Sequence, residues 1–263
     1  AGVAAEAVCV IKLGRRPSSQ EARKAGAQLA KAQAGKDLLV LAGSIGRADE
    51  IALGLALRGY DFDTHKSAEK KPKGKISFMV AKPEAVAKSA APMAAIAEGV
   101  FFTRDLTNEP ANVLTTDDFA ARLAAMQELG LDVEILEEAD LVKLGMRTLL
   151  SVGQGSDSPS KVVVMSWNGG GKEAPFALVG KGVVFDTGGI SMKPAAGMED
   201  MTMDMGGAGV VAGVMRTLAL RKAKANVVGL VGLVENMPSG NVIKNIQGRV
   251  AGVSITTDGS PGS

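Results

Sequence analysis

The chain has 263 residues, of which 46% are hydrophobic and 22% charged, the usual composition of a globular protein. Its 30 basic and 28 acidic residues nearly cancel, so we expect no dedicated nucleic-acid surface. The single cysteine, Cys9, excludes an internal disulfide and favours a reducing, cytoplasmic location, and the single histidine, His65, excludes sites that need two imidazoles. No apolar run reaches the length of about 18–20 residues that a membrane helix needs, so we expect no membrane span.

The first part of the chain alternates between strand and helix patterns. In order, it predicts a strand over 7–14, a serine-capped helix over 18–34, a strand over 36–43, a helix over 47–60 and a strand over 75–81. A long alanine-rich helix is predicted next, over 83–108, despite Pro92.

The second part continues the same alternation. It predicts a helix over 115–130, a strand over 132–137, a helix over 138–146, strands over 161–167 and 176–185, a helix over 207–223 and a strand over 226–234. Alternating elements with near-continuous Val, Leu and Ile runs are typical of a parallel sheet covered on both faces. We therefore expect an α/β fold with a mainly parallel sheet.

The stretch VGKGVVFDTGGISMKP, residues 179–194, combines an apolar strand with charges. The strand runs into Asp186, with Lys181 behind it and Lys193 ahead, and Asp204 follows before the next helix. Ligands of open α/β sheets bind at the carboxyl ends of strands, and carboxylates there can converge on hard divalent cations. The alternative is a glycine-rich loop with solvated charges, and the spacing alone does not decide between the two.

Other chemistries fit the residues poorly. GAGVVA, residues 207–212, has glycines at a dinucleotide-binding spacing but lacks the strand that should precede them. SWNGGGKEA, residues 166–174, lacks the first glycine and the Ser or Thr of a phosphate-binding P-loop. No G-x-S-x-G nucleophile elbow occurs. We therefore disfavour nucleotide binding and serine hydrolase chemistry.

The segment VGKGVVFDTGGISMKPAAGMEDMTMDMGGA, residues 179–208, closely resembles the signature of the leucyl aminopeptidase (cytosol aminopeptidase) family. Residues 104–120, 145–170 and 231–241 resemble neighbouring segments of that family's catalytic domain. The resemblance implies a shortened N-terminal α/β domain over 1–82, a linking helix over 83–107, and the N-terminal part of an α/β/α metallopeptidase domain over 108–263.

The resemblance also implies roles for individual residues. Lys181 resembles a lysine that ligates one metal through its amine, which requires loss of its proton, favoured by burial and by a neighbouring cation. Asp186 resembles the aspartate that bridges two metals, and Asp204 a ligand of the Lys181 metal. Lys193 resembles the catalytic lysine that polarises the scissile carbonyl. Met201 resembles a residue that lines the pocket for the first side chain, although methionine also serves as a core filler.

The activity implied is removal of N-terminal, preferably apolar, residues from peptides with a free N-terminus, by a metal-activated water. Two divalent cations are implied, Mn²⁺ or Zn²⁺, with Mg²⁺ as a further candidate on grounds of ligand softness. The resemblance further implies a cytoplasmic homo-oligomer, namely a hexamer.

The tail over 242–263 diverges from the family. The family's second metal segment, Asn-Thr-Asp-Ala-Glu-Gly-Arg, is only weakly resembled by ITTDGS, in which Asp258 is the candidate ligand, and no glutamate or arginine follows it. The resemblance therefore implies a catalytic domain that is incomplete and a family member that is shortened at both ends. We expect little or no peptidase activity from this chain, and the alternative function is an inactive fragment that serves in assembly or binding.

Overall fold

A computed structural model describes residues 4–67 and 73–239, together with the backbone of two short strands at 248–250 and 253–255. The chain divides into two units, Ala1–Ala97 and Glu98–Ser263. The division lies within the third helix, and the domain boundaries predicted at residues 82 and 107 stay predictions. Each unit is described below by itself.

Over residues 4–67 and 73–97, the first unit has two helices, two strands and the start of a third helix. Its elements are α1 (Ser19–Gln33), β1 (Leu38–Gly43), α2 (Ala48–Arg58), β2 (Ile76–Val80) and the beginning of α3 (Pro83–Asn108). β1 and β2 pair in parallel, and the connection between them, which includes α2, is long enough for the crossover that a parallel pair needs. The predictions that correspond to these five elements are confirmed to within a few residues, and Pro92 lies inside α3 as expected.

Sequence explains how α1 begins and how it packs. The Ser18 side chain accepts the Glu21 N–H while Glu21 reaches back to the Ser18 backbone, so the helix begins with a capping box. A Cβ at Gly26 would lie 2.0 Å from the Ile51 carbonyl oxygen, and one at Gly54 would lie 2.1 Å from that of Arg23. These two glycines therefore let the backbones of α1 and α2 touch.

The strand predicted over 7–14 is wrong, because the structure shows irregular chain there. Val8 and Val10 are 73% and 87% exposed. A strand needs a hydrogen-bonding neighbour, and within the described residues β1 pairs with β2 alone. Residues 7–14 therefore have the composition of a strand, but no strand in the described residues pairs with them.

The described residues of the second unit contain the rest of α3, four more α-helices, two 3₁₀ helices, a four-stranded sheet and a two-stranded sheet. Its elements are α4 (Thr116–Ala124), a 3₁₀ helix (Ala125–Leu129), β3 (Asp132–Leu136), α5 (Glu138–Lys143), α6 (Arg147–Gly153), β4 (Lys161–Asn168), β5 (Phe176–Asp186), a 3₁₀ helix (Met198–Met205), α7 (Gly206–Leu220), β6 (Asn226–Asn236), β7 (Gly248–Val250) and β8 (Val253–Ile255). The strands and helices predicted from 115 onward are confirmed, whereas α6, the second 3₁₀ helix and the short strands β7 and β8 had no predicted counterpart.

The main sheet of this unit has the strand order β3-β4-β6-β5. β5 and β6 are parallel, while β3 and β4 run antiparallel to their neighbours. The link between β4 and β5, residues 169–175, is too short for a parallel crossover, which needs about a dozen residues, so β4 must run opposite to β5. The α/β fold class is confirmed; this sheet is mixed, where the hydrophobic runs predicted a mainly parallel one.

The core of the second unit lies between α7, the end of α3 and the sheet. Leu106 of α3 and Met215 of α7 are fully buried, and the Thr103 hydroxyl donates to the Gly209 carbonyl at 2.8 Å. By length and composition alone, α3 is the one helix among the described residues that could cross a membrane. Its last turns pack in this core, and the expectation of no membrane span stays a prediction.

Candidate metal centre

Lys181 and Asp186 lie on the same face of β5 because of a β-bulge. They are five positions apart, so strict alternation along a strand would put them on opposite faces. The register against β6 shifts at Val184, so that Lys181 lies opposite Gly232 and Asp186 opposite Asn236. Since those two β6 positions share a face, the bulge returns Asp186 to the face of Lys181.

Two glycines bring Asp204 to Lys181. A Cβ at Gly180 would lie 2.6 Å from the Gly207 carbonyl oxygen, and a Cβ at Gly207 would lie 2.9 Å from the Lys181 nitrogen. The first turn of α7 therefore packs directly on β5, with the 3₁₀ helix that carries Asp204 just before it. Lys181 Nζ forms an ion pair with Asp204 Oδ1 at 2.6 Å.

The loop after β5 returns Lys193 to Asp186. Gly188 and Gly189 have φ values of +90° and +67°, which favour glycine, and the Lys193 N–H donates to the Thr187 carbonyl at 2.8 Å. Lys193 Nζ then lies 2.5 Å from Asp186 Oδ2. The two lysines therefore pair with two different carboxylates.

Asp186 is held in its ionised form. Its Oδ1 accepts hydrogen bonds from the Gly188 N–H at 2.9 Å and from Asn236 Nδ2 at 2.7 Å. Burial opposes ionisation, but these bonds and the bond from Lys193 outweigh it, so the pKa of Asp186 is lowered. A lowered pKa keeps the carboxyl as the anion that a metal ion binds.

One carboxylate oxygen of Asp204 takes no part in the ion pair with Lys181. Within residues 4–67 and 73–239, its buried Oδ2 has no hydrogen-bond partner. Buried polar atoms are nearly always paired, so this carboxylate oxygen is open to a further partner. Two carboxylates and an amine are a donor set that suits Mn²⁺, Zn²⁺ or Mg²⁺, so these residues fit a divalent cation.

The donor set has two features that the sequence did not anticipate. The Lys181 side chain is 60% exposed, whereas the ligand role implied by the resemblance called for a buried amine. Counting His, Cys, Asp and Glu alone, the described part of the chain holds no group of three that could bind a metal. The candidate centre therefore depends on Lys181 as its third donor.

The remaining site predictions have separate outcomes. Met201 packs beside Phe185 and Met237, next to the end of β5, and its role in a substrate pocket stays a prediction. Asp258 lies outside the described residues. Sequence reasoning missed Asn236, although it lies within a segment that resembles the family, because its contact with Asp186 depends on the pairing of β5 with β6.

Residues 101–255 match the catalytic domain of the cytosol aminopeptidase family. The chain belongs to this family of peptidases. A probable cytosol aminopeptidase from Cereibacter sphaeroides is 64% identical over 265 residues, which cover 98% of this chain and 54% of that protein. One from Dinoroseobacter shibae is 65% identical over 240 residues, covering 91% of this chain and 49% of its own length. This member of the family therefore spans about half the length of these curated relatives.

Solved structures agree with the family membership. The bottromycin maturation enzyme BotP in complex with Mn is similar with a TM-score of 0.74 and 32% identity, over 87% of this chain and 50% of BotP. The cytosol aminopeptidase of Coxiella burnetii matches with a TM-score of 0.70 over 87% of this chain and 49% of its own; at 24% identity it supports the fold alone. The fold of this aminopeptidase family member is therefore shared with about half of each solved chain.

Proposed function

We propose that this chain supplies the Lys-Asp-Asp part of a two-metal aminopeptidase centre. The observation that carries the proposal is the buried Asp204 Oδ2, which lacks a hydrogen-bond partner in the described residues while Oδ1 of the same carboxylate pairs with Lys181. Membership of a peptidase family and the likeness to Mn-bound BotP support divalent metal use.

In this proposal, Lys181, Asp186 and Asp204 hold the cations. Bound divalent cations would supply Lewis acidity, which polarises a carbonyl and activates a water. Lys193, paired with Asp186 at 2.5 Å, would hold a positive charge beside the centre and stabilise negative charge that develops on the scissile carbonyl oxygen. Met201 would contact the first side chain of the substrate.

The substrate class is peptides with a free N-terminus, with preference for an apolar first residue. Mn²⁺ and Zn²⁺ are the proposed cations, with Mg²⁺ as a further candidate. A cytoplasmic location and assembly into a hexamer complete the proposal. They rest on the family resemblance and, for location, on the family's name and the single cysteine.

The proposal is tested by titrating the metal-free chain with Mn²⁺ in a calorimeter. We expect at least one cation per chain, and loss of that binding in Asp204→Asn. The matched control is Asp200→Asn, which changes an exposed aspartate on the same 3₁₀ helix and should bind as the wild type does. Absence of Mn²⁺ binding by the wild type, or equal binding by Asp204→Asn, would contradict the proposal.

Stoichiometry and activity separate an active enzyme from an inactive family fragment. Two cations per chain would mean that Asp258 or another residue of the tail completes the second site. One cation, with no release of p-nitroaniline from Leu-p-nitroanilide, would favour the inactive fragment. Our expectation of little or no activity fails if the purified chain turns this substrate over clearly with Mn²⁺.

A further inference from the structure

Asn236 is the last residue of β6 and lies directly opposite Asp186 in the parallel register. Its amide Nδ2 donates a hydrogen bond to Asp186 Oδ1 at 2.7 Å. This is shorter than the most common N–H···O length of about 2.9–3.0 Å, as expected for a bond to a charged acceptor. Asn236 thus contacts a proposed metal ligand without being one of the proposed ligands.

The backbone of Asn236 is itself fixed by the loop that follows Asp186. Its carbonyl oxygen accepts the Thr187 N–H at 3.0 Å and the Thr187 hydroxyl at 2.8 Å. A Cβ at Gly189 would lie only 2.8 Å from Asn236 Oδ1, so the loop reaches the amide closely because residue 189 is glycine. The amide is therefore enclosed on its Oδ1 side and directs its Nδ2 to Asp186.

The preceding residue anchors the same strand end. Glu235 is fully buried and accepts a hydrogen bond from the Ser156 hydroxyl. The Ser158 N–H in turn donates to the Ser156 hydroxyl oxygen at 3.0 Å. The end of β6 is thus held to the segment before β4, and Asn236 projects from a fixed backbone.

We propose that Asn236 is a positioning residue for the metal ligand Asp186, an inference that rests on the proposed function. A free carboxylate rotates about its side-chain torsions, whereas Oδ1 of Asp186 is fixed here by Gly188 and Asn236, which leaves Oδ2 on the side of Lys193. A neutral amide suits this role, because it donates to the carboxylate without adding a positive charge that would repel a cation. Outer contacts of this kind typically contribute about 10–100-fold to metal affinity.

The test compares the two ends of β6. Asn236→Ala removes the donor, and Asn226→Ala is the matched control, since Asn226 is the first residue of the same strand and is also partly buried. Asn226 Nδ2 donates to the carbonyls of Gly171 and Glu173, both at 3.0 Å, far along the strand from Asp186. Asn236→Leu, which keeps the side-chain size without a donor, is measured in parallel in case the alanine variant is unstable.

Two quantities are measured on the full chain: the Mn²⁺ dissociation constant, from the electron paramagnetic resonance signal of free Mn²⁺, and the melting temperature in EDTA. We expect both Asn236 variants to raise the dissociation constant about tenfold, with Asn226→Ala unchanged. We expect Asn226→Ala and Asn236→Ala to lower the metal-free melting temperature by similar amounts. The affinity difference therefore reports on positioning rather than on stability.

Two results overturn the inference, and they are distinguishable. If the wild type binds Mn²⁺ and the Asn236 variants bind it as tightly as Asn226→Ala does, the positioning role is wrong while the proposed function stands. If the wild type binds no Mn²⁺, the proposed function is contradicted and the positioning role is lost with it.

Discussion

β5 and β6 carry a polar cluster at each end of their parallel pairing, and the two clusters are built differently. At the start, Asn226 Oδ1 accepts the Gly170 N–H at 2.9 Å, and its Nδ2 donates to two backbone carbonyls. At the other end, Asp186 and Asp204 pair with Lys193 and Lys181, and Asp204 Oδ2 is buried without a hydrogen-bond partner in the described residues.

The two clusters differ in whether all of their hydrogen-bonding atoms have partners. At the start of the strands the amide and backbone groups satisfy one another's hydrogen bonds near the surface and fix a turn. At the other end, the charged side chains form two ion pairs, and one carboxylate oxygen has no hydrogen-bond partner in the described residues. A polar cluster at a strand end is therefore a candidate site when its acceptors exceed its donors, and a structural feature when they match.

The largest effect is expected for Asp186→Asn, which removes the charge at the centre of the second cluster. We expect Mn²⁺ affinity to fall more than about a hundredfold, beyond the range of outer contacts, because a ligand itself is lost. Calorimetry on the full chain measures this, with the Asp200→Asn variant as the control. Undiminished binding by Asp186→Asn would show that the second cluster is not a metal centre.

Gly180→Ala tests the packing that brings Asp204 to Lys181. The new Cβ would lie 2.6 Å from the Gly207 carbonyl oxygen, so the first turn of α7 must move away from β5. We expect a loss of about 1–3 kcal/mol in the free energy of unfolding, as for other overpacked sites, and weaker Mn²⁺ binding. Urea unfolding and Mn²⁺ titration measure the two effects.

The control for that change is Gly206→Ala, at the first residue of α7. It has a helical φ of −57°, and a Cβ there meets nothing within 4 Å. We expect its stability to be unchanged or higher by about 0.4–1 kcal/mol. If Gly180→Ala is as harmless as Gly206→Ala, the contact of the two backbones does not position Asp204.

Asn226→Ala tests whether the first cluster is only structural. The carbonyls of Gly171 and Glu173 lose their amide donor; because both bonds are exposed to water, the loss should be about 0.5–1.5 kcal/mol in the free energy of unfolding. Urea unfolding should show this loss. If Asn226→Ala also lowers Mn²⁺ affinity, the first cluster is not purely structural and the proposed difference between the two clusters is wrong.

The smallest effect concerns Lys161, the first residue of β4, which is 5% exposed. Burial opposes its charge, but its bonds to Glu137 and Asp117 outweigh burial and raise its pKa above 10.5. Its ion pairs therefore stabilise the fold fully below about pH 10.5, and this contribution is lost as pH rises through the folded-state pKa. Here two carboxylates enclose one lysine, in contrast to Lys181.

The measurement for Lys161 is urea unfolding of the wild type and Lys161→Met between about pH 9 and 11.5. The wild type should lose stability relative to Lys161→Met at the upper end of this range. A difference that stays constant with pH would show that the ion pairs do not contribute in this way.

Much of the fold could be predicted from hydrophobic periodicity. The helix over 83–108 and the strands from 161 onward agree with α3, β4, β5 and β6, because long apolar patterns constrain one chain segment at a time. The strand over 7–14 failed because a strand also needs a partner, which composition does not supply. The antiparallel direction of β4 follows from the short link between β4 and β5, residues 169–175.

The sequence identified most residues of the candidate site, but it did not predict how they are arranged in space. Lys181, Asp186, Lys193 and Asp204 stand out by charge within a glycine-rich apolar stretch, and a family motif includes them. The bulge at Val184 and the contact of Asn236 with Asp186 both arise from the register of β5 against β6. Register is a property of two strands together, so a pattern read along one strand does not contain it.

The central claim is that Lys181, Asp186 and Asp204 share a divalent cation. The most direct measurement is anomalous diffraction at the zinc edge from crystals of this chain grown with Zn²⁺. The account predicts a peak within about 2.0–2.2 Å of Lys181 Nζ and of carboxylate oxygens of Asp186 and Asp204. No peak at these residues, with the ion pairs of Lys181 and Lys193 intact, would contradict it.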